Sequence, residues 1–111
     1  MLLKTLKNFD RLANKVMTVK AKESLYDYLS NNPKAGDVIP GTGGARKIRW
    51  ENGMGKGSRG GVRVIYYYQV EEFILMITIY SKSDKSDFTK AECNELKKLL
   101  PSLINSVSWE D

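Results

Sequence analysis

The amino-acid sequence predicts an α+β domain in which a small antiparallel sheet has two helices before it and one helix after it. Apolar residues recur at helical spacing within the first 31 residues. Between residues 45 and 82 they form alternating or β-branched and aromatic runs, and from residue 86 onward helical spacing returns. The length of 111 residues, with 41% hydrophobic and 28% charged residues, predicts one globular domain spanning residues 1–111.

The sequence shows no sign of a membrane segment. Its longest apolar run, "FILMI", is far shorter than the roughly 20 residues that cross a bilayer. The N-terminal "MLLKTLKNF" lacks the apolar core and the small-residue cleavage site of a secretory signal. We therefore expect a cytoplasmic protein with no membrane partner.

Two helices are predicted near the N-terminus. Residues 1–7 alternate weakly and favour a short edge strand, after which "NFDRLANKV" has helical spacing behind a possible cap at Asn8. Thr18 can cap the second helix, and "NNPKAGD" ends it. These segments supply the apolar stripes that one face of a sheet needs.

Three strands follow in the segments "ARKIRWE", "VRVIYYYQV" and "FILMITIYSK", the last two joined by a hairpin loop of two or more residues around "EE". Alternation divides each strand into a side facing the helices and an open side. The residues predicted to face the helices are Val62, Val64, Tyr66, Tyr68, Phe73, Leu75, Ile77 and Ile79. Those predicted on the open side are Arg63, Ile65, Tyr67, Gln69, Ile74, Met76, Thr78, Tyr80 and Lys82.

The C-terminal segment predicts a third helix. Thr89 and Glu92 have the spacing of a capping box, and an apolar stripe of leucines and Ile104 follows. Pro101 lies inside this pattern and is expected to kink or break the helix.

Residue types that are missing exclude several classes of enzyme. The chain has one cysteine and no histidine, so it cannot form an internal disulfide, a His/Cys zinc site or a Ser-His or Cys-His dyad. Cys93 lies at helical spacing, as a structural thiol would. The glycine-rich stretch matches neither a P-loop nor a dinucleotide fingerprint. We therefore expect no metal ion and no cofactor.

Positive charge is concentrated in one stretch of the chain. The net charge is +5, and residues 45–63 contain six basic residues and one acid. The loop "GMGKGSRGG" within it combines Lys56 and Arg59 with glycines that let the backbone approach a phosphodiester closely. This composition favours a nucleic-acid backbone as the ligand.

Candidate site residues follow from strand alternation and from this loop. Lys47, Arg49, Arg63 and Lys82 can converge on the open face of the sheet as the catalytic cluster, and Lys47 is a candidate base. The candidate RNA-binding residues are Arg46, Lys56, Arg59, Tyr67 and Tyr80, with Trp50 as a further aromatic. RNA carries its own nucleophile in the 2′-hydroxyl, so an enzyme can cleave it without histidine by orienting the phosphate and stabilising the charge that develops on it.

The blocks "NPKAGDVIPGTGGARKIRW", "GKGSRGGVRVIYYY" and "ITIYSKSDKSDFTKAE" resemble the HigB branch of the RelE-like toxins of bacterial type II toxin-antitoxin systems. The resemblance covers residues 31–92. It implies a compact RelE-type fold and a ribosome-dependent endoribonuclease that cuts translated mRNA in the A site of the 30S subunit. It also implies a HigA-type antitoxin partner with a helix-turn-helix domain.

By position, the basic catalytic cluster of this family corresponds to Lys47, Arg49, Arg63 and Lys82. The sequence departs from well-studied relatives, which have an arginine and a catalytic tyrosine where this chain has Ser83 and Phe88-Thr89. Tyr80 or Lys47 then remains as the general base. Two other hypotheses remain. The protein is a non-catalytic module that binds RNA or the ribosome with the same face, or it is an interaction protein whose cations bind an acidic partner.

Overall fold

The computed structural model describes residues 2–54, 61–81 and 88–108, and these residues form an α+β fold, which confirms the predicted class. Three helices and five strands follow one another along the chain. They are β1 (Leu2–Thr5), α1 (Phe9–Val16), α2 (Val19–Asn31), β2 (Asp37–Val38), β3 (Arg46–Trp50), β4 (Val62–Gln69), β5 (Phe73–Ser81) and α3 (Lys90–Ser108).

The five strands form one sheet in the order β1-β5-β4-β3-β2. The predicted N-terminal edge strand is present as β1, but it runs parallel to β5, so the sheet is mixed and not wholly antiparallel. The other three neighbouring pairs are antiparallel. Strand β2 was not predicted from the sequence, because two residues are too few to show an alternation.

The spacing of apolar residues and the cap positions in the sequence predict the first two helices correctly. The Thr18 hydroxyl accepts a hydrogen bond from the backbone N–H of Ala21 at 3.1 Å and so caps α2, as predicted. Asn8 occupies the cap position of α1 without a capping hydrogen bond from its side chain. Helix α2 ends at Asn31, directly before the segment that contains Pro33.

The β4–β5 hairpin has a three-residue loop, so it is longer than the minimal Glu-Glu turn. The backbone N–H of Glu72 donates to the Gln69 carbonyl at 2.9 Å, and Glu71 has a positive φ of 62°. Residues other than glycine and asparagine rarely adopt this conformation. The sequence therefore gives little local signal for the turn.

One face of the sheet, the helix-pair face, packs against α1 and α2. Val62, Val64 and Tyr66 point to this side, as alternation in β4 predicts, and meet Phe9 and Leu25 of the two helices. All five side chains are fully buried. This contact forms the larger of the hydrophobic cores.

The opposite face, the α3 face, is also covered over much of its area, which corrects the expectation of an open face. Ile65 is fully buried there against Leu96 and Leu100 of α3, and Tyr67 is half-buried in the same cluster. Phe73 and Leu75 lie on this side next to Leu103 and Ile104. Helix α3 packs on this face because it buries these four large apolar side chains of the sheet away from water.

A β-bulge in β5 changes which of its residues face each side. Ile65 pairs with Thr78 and Tyr66 pairs with Met76, so the register skips Ile77. One extra residue reverses the alternation beyond it. As a result the predicted sides are wrong for the first part of β5: Ile74 and Met76 lie on the helix-pair face, and Phe73, Leu75 and Ile77 on the α3 face.

Helix α3 begins with the predicted capping box. The Thr89 hydroxyl accepts from the backbone N–H of Glu92 at 3.1 Å, and the Glu92 carboxylate accepts from the backbone N–H of Thr89 at 2.9 Å. The helix continues through Pro101 to Ser108, so the proline does not break it. None of the described helices has the length and apolarity needed to cross a membrane.

Candidate functional site

Three basic side chains share the end of the α3 face at which β3 and β4 pair. Arg49 lies directly opposite Arg63 in the register, and Lys47 is two residues from Arg49 on the same strand face. Lys47 and Arg63 are half-buried, and Arg49 is exposed. We call these three residues the cationic cluster, and strand alternation in β3 and β4 predicts their shared face.

This arrangement places like charges close together. Directly opposed residues on an antiparallel pair have Cβ atoms about 4.5–5.5 Å apart, and like charges in that position destabilise a sheet. Asp37 pairs with Lys47 across β2 and β3, which puts one carboxylate at the border of the cluster. Three cations on one part of a sheet face suit the cluster to binding a polyanion such as a phosphodiester chain.

Tyr80 lies beside the cluster, because it is the cross-strand partner of Arg63 in β5. Its side chain is 7% exposed, and its ring stacks on Phe88 with centroids 6.1 Å apart and planes 16° apart. Tyr67 is half-buried in the core beneath α3, and its hydroxyl donates to the Gln69 side chain at 2.9 Å. Both rings are thus packed against the protein in this conformation, and their predicted role in base stacking stays a prediction.

Arg46 lies on the helix-pair face, away from the cationic cluster, because it pairs with Tyr66 across β3 and β4. Its guanidinium donates to the backbone carbonyls of Gly36 at 2.7 Å and Lys34 at 3.3 Å. Through these two hydrogen bonds, the Arg46 side chain anchors the segment before β2. Arg46 therefore makes a structural contact, and its predicted role in RNA binding stays a prediction.

Trp50 points to the same side as Arg46. Its indole N–H donates to the Ala21 carbonyl of α2 at 3.2 Å, and its ring contacts Tyr28 with centroids 5.1 Å apart. Next to it, a cavity of about 500 Å³ opens between the first turns of α2 and the end of β3. Arg49 lines this cavity as well as belonging to the cationic cluster.

Lys56, Arg59 and Lys82 lie outside the described residues, as does Ser83. Their predicted roles therefore stay predictions. Within residues 2–54, 61–81 and 88–108, no group of three His, Cys, Asp or Glu side chains is arranged to hold a metal ion. Cys93 is buried in α3.

Sequence reasoning missed the role of Tyr66 in fixing the loop before β2. The Tyr66 hydroxyl donates to the Pro33 carbonyl at 2.9 Å and accepts from the backbone N–H of Gly36 at 2.8 Å. Burial raises the pKa of this phenol above its usual value, although the Gly36 hydrogen bond and Arg46 act in the opposite direction. A Cβ at position 36 would lie 2.8 Å from the tyrosine ring, so this contact requires a residue without a side chain. In the sequence, the only sign of this loop was the proline and glycine of the segment Pro33-Lys34-Ala35-Gly36.

Comparison with known proteins supports the fold. No family model matches the chain. Among solved structures, the chain is similar to a double mutant of the E. coli toxin RelE in the free state, with a TM-score of 0.54 and 18% sequence identity. The match covers 76% of this chain and 85% of that chain. The chain therefore has a RelE-like fold.

Proposed function

We propose that this protein is a toxin of a type II toxin-antitoxin system, a ribosome-dependent endoribonuclease of HigB type that cuts translated mRNA. The observation that carries the proposal is the cationic cluster, in which Lys47, Arg49 and Arg63 share one end of a sheet face on a RelE-like fold. The sequence blocks that resemble HigB proteins support the finer assignment.

In the proposed reaction, the 2′-hydroxyl of one nucleotide attacks the adjoining phosphate and displaces the 5′-oxygen of the next nucleotide. Negative charge builds up on the phosphorane oxygens, and guanidinium groups stabilise such charge by paired hydrogen bonds. Arg49 and Arg63 lie on opposed strands and can contact the same phosphate from two sides. Lys47, the remaining member of the cluster, is the proposed base that takes the proton of the 2′-hydroxyl, and the leaving 5′-oxygen receives a proton from Lys82 or water.

Three further basic residues predicted from the sequence complete this site in the proposal. Lys56 and Arg59 would contact the backbone of the RNA strand, and Lys82 would stabilise the leaving 5′-oxygen. The ribosomal A site would supply an mRNA strand held in an extended shape. A HigA-type antitoxin with a helix-turn-helix domain is the proposed inhibitor.

A second function has one specific observation in its favour. Phe88, near the position at which relatives of HigB type have a tyrosine, has no hydroxyl, and its ring stacks on the buried Tyr80. Without a phenol at this position the protein would bind RNA in the A site and block translation without cutting it. This non-catalytic module uses the same cationic cluster.

Primer extension on an mRNA under translation separates the two functions. We expect the wild-type protein to produce discrete cuts within codons in a purified translation system and none when ribosomes are omitted, because the A site positions the strand. Stalled translation on intact mRNA would instead support the non-catalytic module. Equal cutting of free mRNA would contradict ribosome dependence.

A further inference from the structure

The cavity next to Trp50 shares Arg49 with the cationic cluster, so the two sites adjoin. Its volume of about 500 Å³ lies within the range of roughly 300–1,000 Å³ that is usual for small-molecule sites. Its lining includes Lys20, Ser24, Arg49, Trp50 and Glu51. A phosphate bound at Arg49 would therefore lie at the border of the cavity.

The walls of the cavity are fixed by contacts between α2 and the end of β3. The Trp50 indole is held by its hydrogen bond to the Ala21 carbonyl, and the Thr18 backbone N–H donates to the Asn52 carbonyl at 2.9 Å. Gly53 has a positive φ of 78°, and a side chain there would collide with Thr18. The cavity is thus formed before any ligand arrives, which lowers the entropy lost on binding.

The chemistry of the lining matches a nucleotide. Trp50 supplies an aromatic and apolar wall, of the kind on which bases stack in single-strand binding sites. Lys20 and Arg49 supply positive charge for the sugar-phosphate backbone. Ser24 lies on the exposed side of α2 at the same opening.

Glu51 is the acid at the cavity, and a carboxylate only accepts hydrogen bonds. Guanine presents two adjacent donors on its Watson–Crick edge, N1–H and the N2 amino group. Adenine and cytosine present one amino donor next to a ring-nitrogen acceptor, and uracil presents one N–H between two carbonyls. A carboxylate can therefore bind guanine through two parallel hydrogen bonds and meets an acceptor on each of the other bases.

We propose that the cavity lined by Trp50 and Glu51 is a base subsite that prefers guanine in the nucleotide next to the phosphate bound by the cationic cluster. This inference rests on the proposed function, since it assumes that the cluster binds RNA. It adds a sequence preference that the cluster alone cannot supply, because phosphate contacts carry no base information.

The test measures binding of short fluorescein-labelled RNAs by anisotropy, without ribosomes. One RNA is all uridine, and the other has a single guanine at its centre. We expect wild-type protein to bind the guanine RNA about tenfold more tightly, the lower part of the range for a bidentate base contact. Glu51→Gln should reduce this ratio to about twofold or less, because the amide keeps one acceptor and replaces the other with a donor.

A second variant tests whether Glu51→Gln lowers the guanine preference only because it removes a negative charge. Ser24→Leu fills the cavity from the surface of α2 without a charge change, and it should abolish the guanine preference. Ser102→Leu, an equivalent change on the exposed side of α3, should behave as wild type. Equal wild-type affinity for the two RNAs, or a preference that survives both cavity variants, would overturn the subsite.

The same proteins in the primer-extension assay distinguish failure of the subsite from failure of the proposed function. Cutting that continues at the same positions in Glu51→Gln would reject the subsite and leave the nuclease intact. Absence of cutting by wild-type protein, combined with a guanine preference in the binding assay, would reject the nuclease and leave the subsite.

Discussion

An Arg63→Ala variant is expected to cut translated mRNA at least about 100-fold more slowly than the wild-type protein. Removing one donor that stabilises a developing oxyanion typically slows a reaction by about 10²–10³. Arg63 belongs to the cationic cluster and lies opposite Arg49 and beside Tyr80. The rate is measured by single-turnover primer extension on stalled ribosome complexes with excess toxin.

Arg11→Ala is the matched control for this experiment, since it removes the same charge from the exposed surface of α1. We expect it to cut within about threefold of the wild-type rate, because a distant exposed charge is screened by salt. Both variants should keep the urea midpoint of unfolding of the wild-type protein. An Arg63→Ala protein that is folded and cuts at the wild-type rate would show that the cluster is not the reaction site.

A Tyr66→Phe variant is expected to lose about 1–3 kcal/mol of unfolding free energy. The phenylalanine ring fills the same space, but the Gly36 N–H and the Pro33 carbonyl lose their shared partner. The hydrogen bond to Gly36 is buried, and a buried group without a partner destabilises the folded state. Urea denaturation followed by circular dichroism at neutral pH measures the change.

Tyr68→Phe makes the same chemical change two residues along the same strand, and it should alter stability by less than about 0.5 kcal/mol. The Tyr68 hydroxyl accepts one exposed and long hydrogen bond, at 3.4 Å, from the backbone N–H of Glu71. Equal losses in the two variants would mean that the Tyr66 hydroxyl does not hold the loop before β2.

Much of the fold could be predicted because its signals are local. The caps of α2 and α3 depend on residues three positions apart, and both the Thr18 cap and the box of Thr89 and Glu92 form as predicted. The shared face of Arg49 and Arg63 was predictable for a related reason. Strands β3 and β4 pair without a bulge, so a simple alternation of sides holds throughout their register.

The errors arise where a tertiary contact decides the outcome. A single skipped residue at Ile77 reverses the sides of β5, and nothing in a run of β-branched and apolar residues marks that position. The cover that α3 gives to Ile65 depends on where a distant helix packs. Arg46 has the same residue type as Arg49, and only the carbonyls of Lys34 and Gly36 reveal that it anchors a loop.

The central claim is that the cationic cluster holds RNA so that the 2′-hydroxyl of the RNA itself cuts the strand. The most direct test is primer extension on a ribosome-bound mRNA with a single 2′-deoxynucleotide on the 5′ side of the mapped cut, compared with one that carries the deoxynucleotide one position further downstream. We predict that the first mRNA stays intact and that the second is cut like all-ribose mRNA. Equal cutting of both would contradict the claim, because the attacking group would then come from elsewhere.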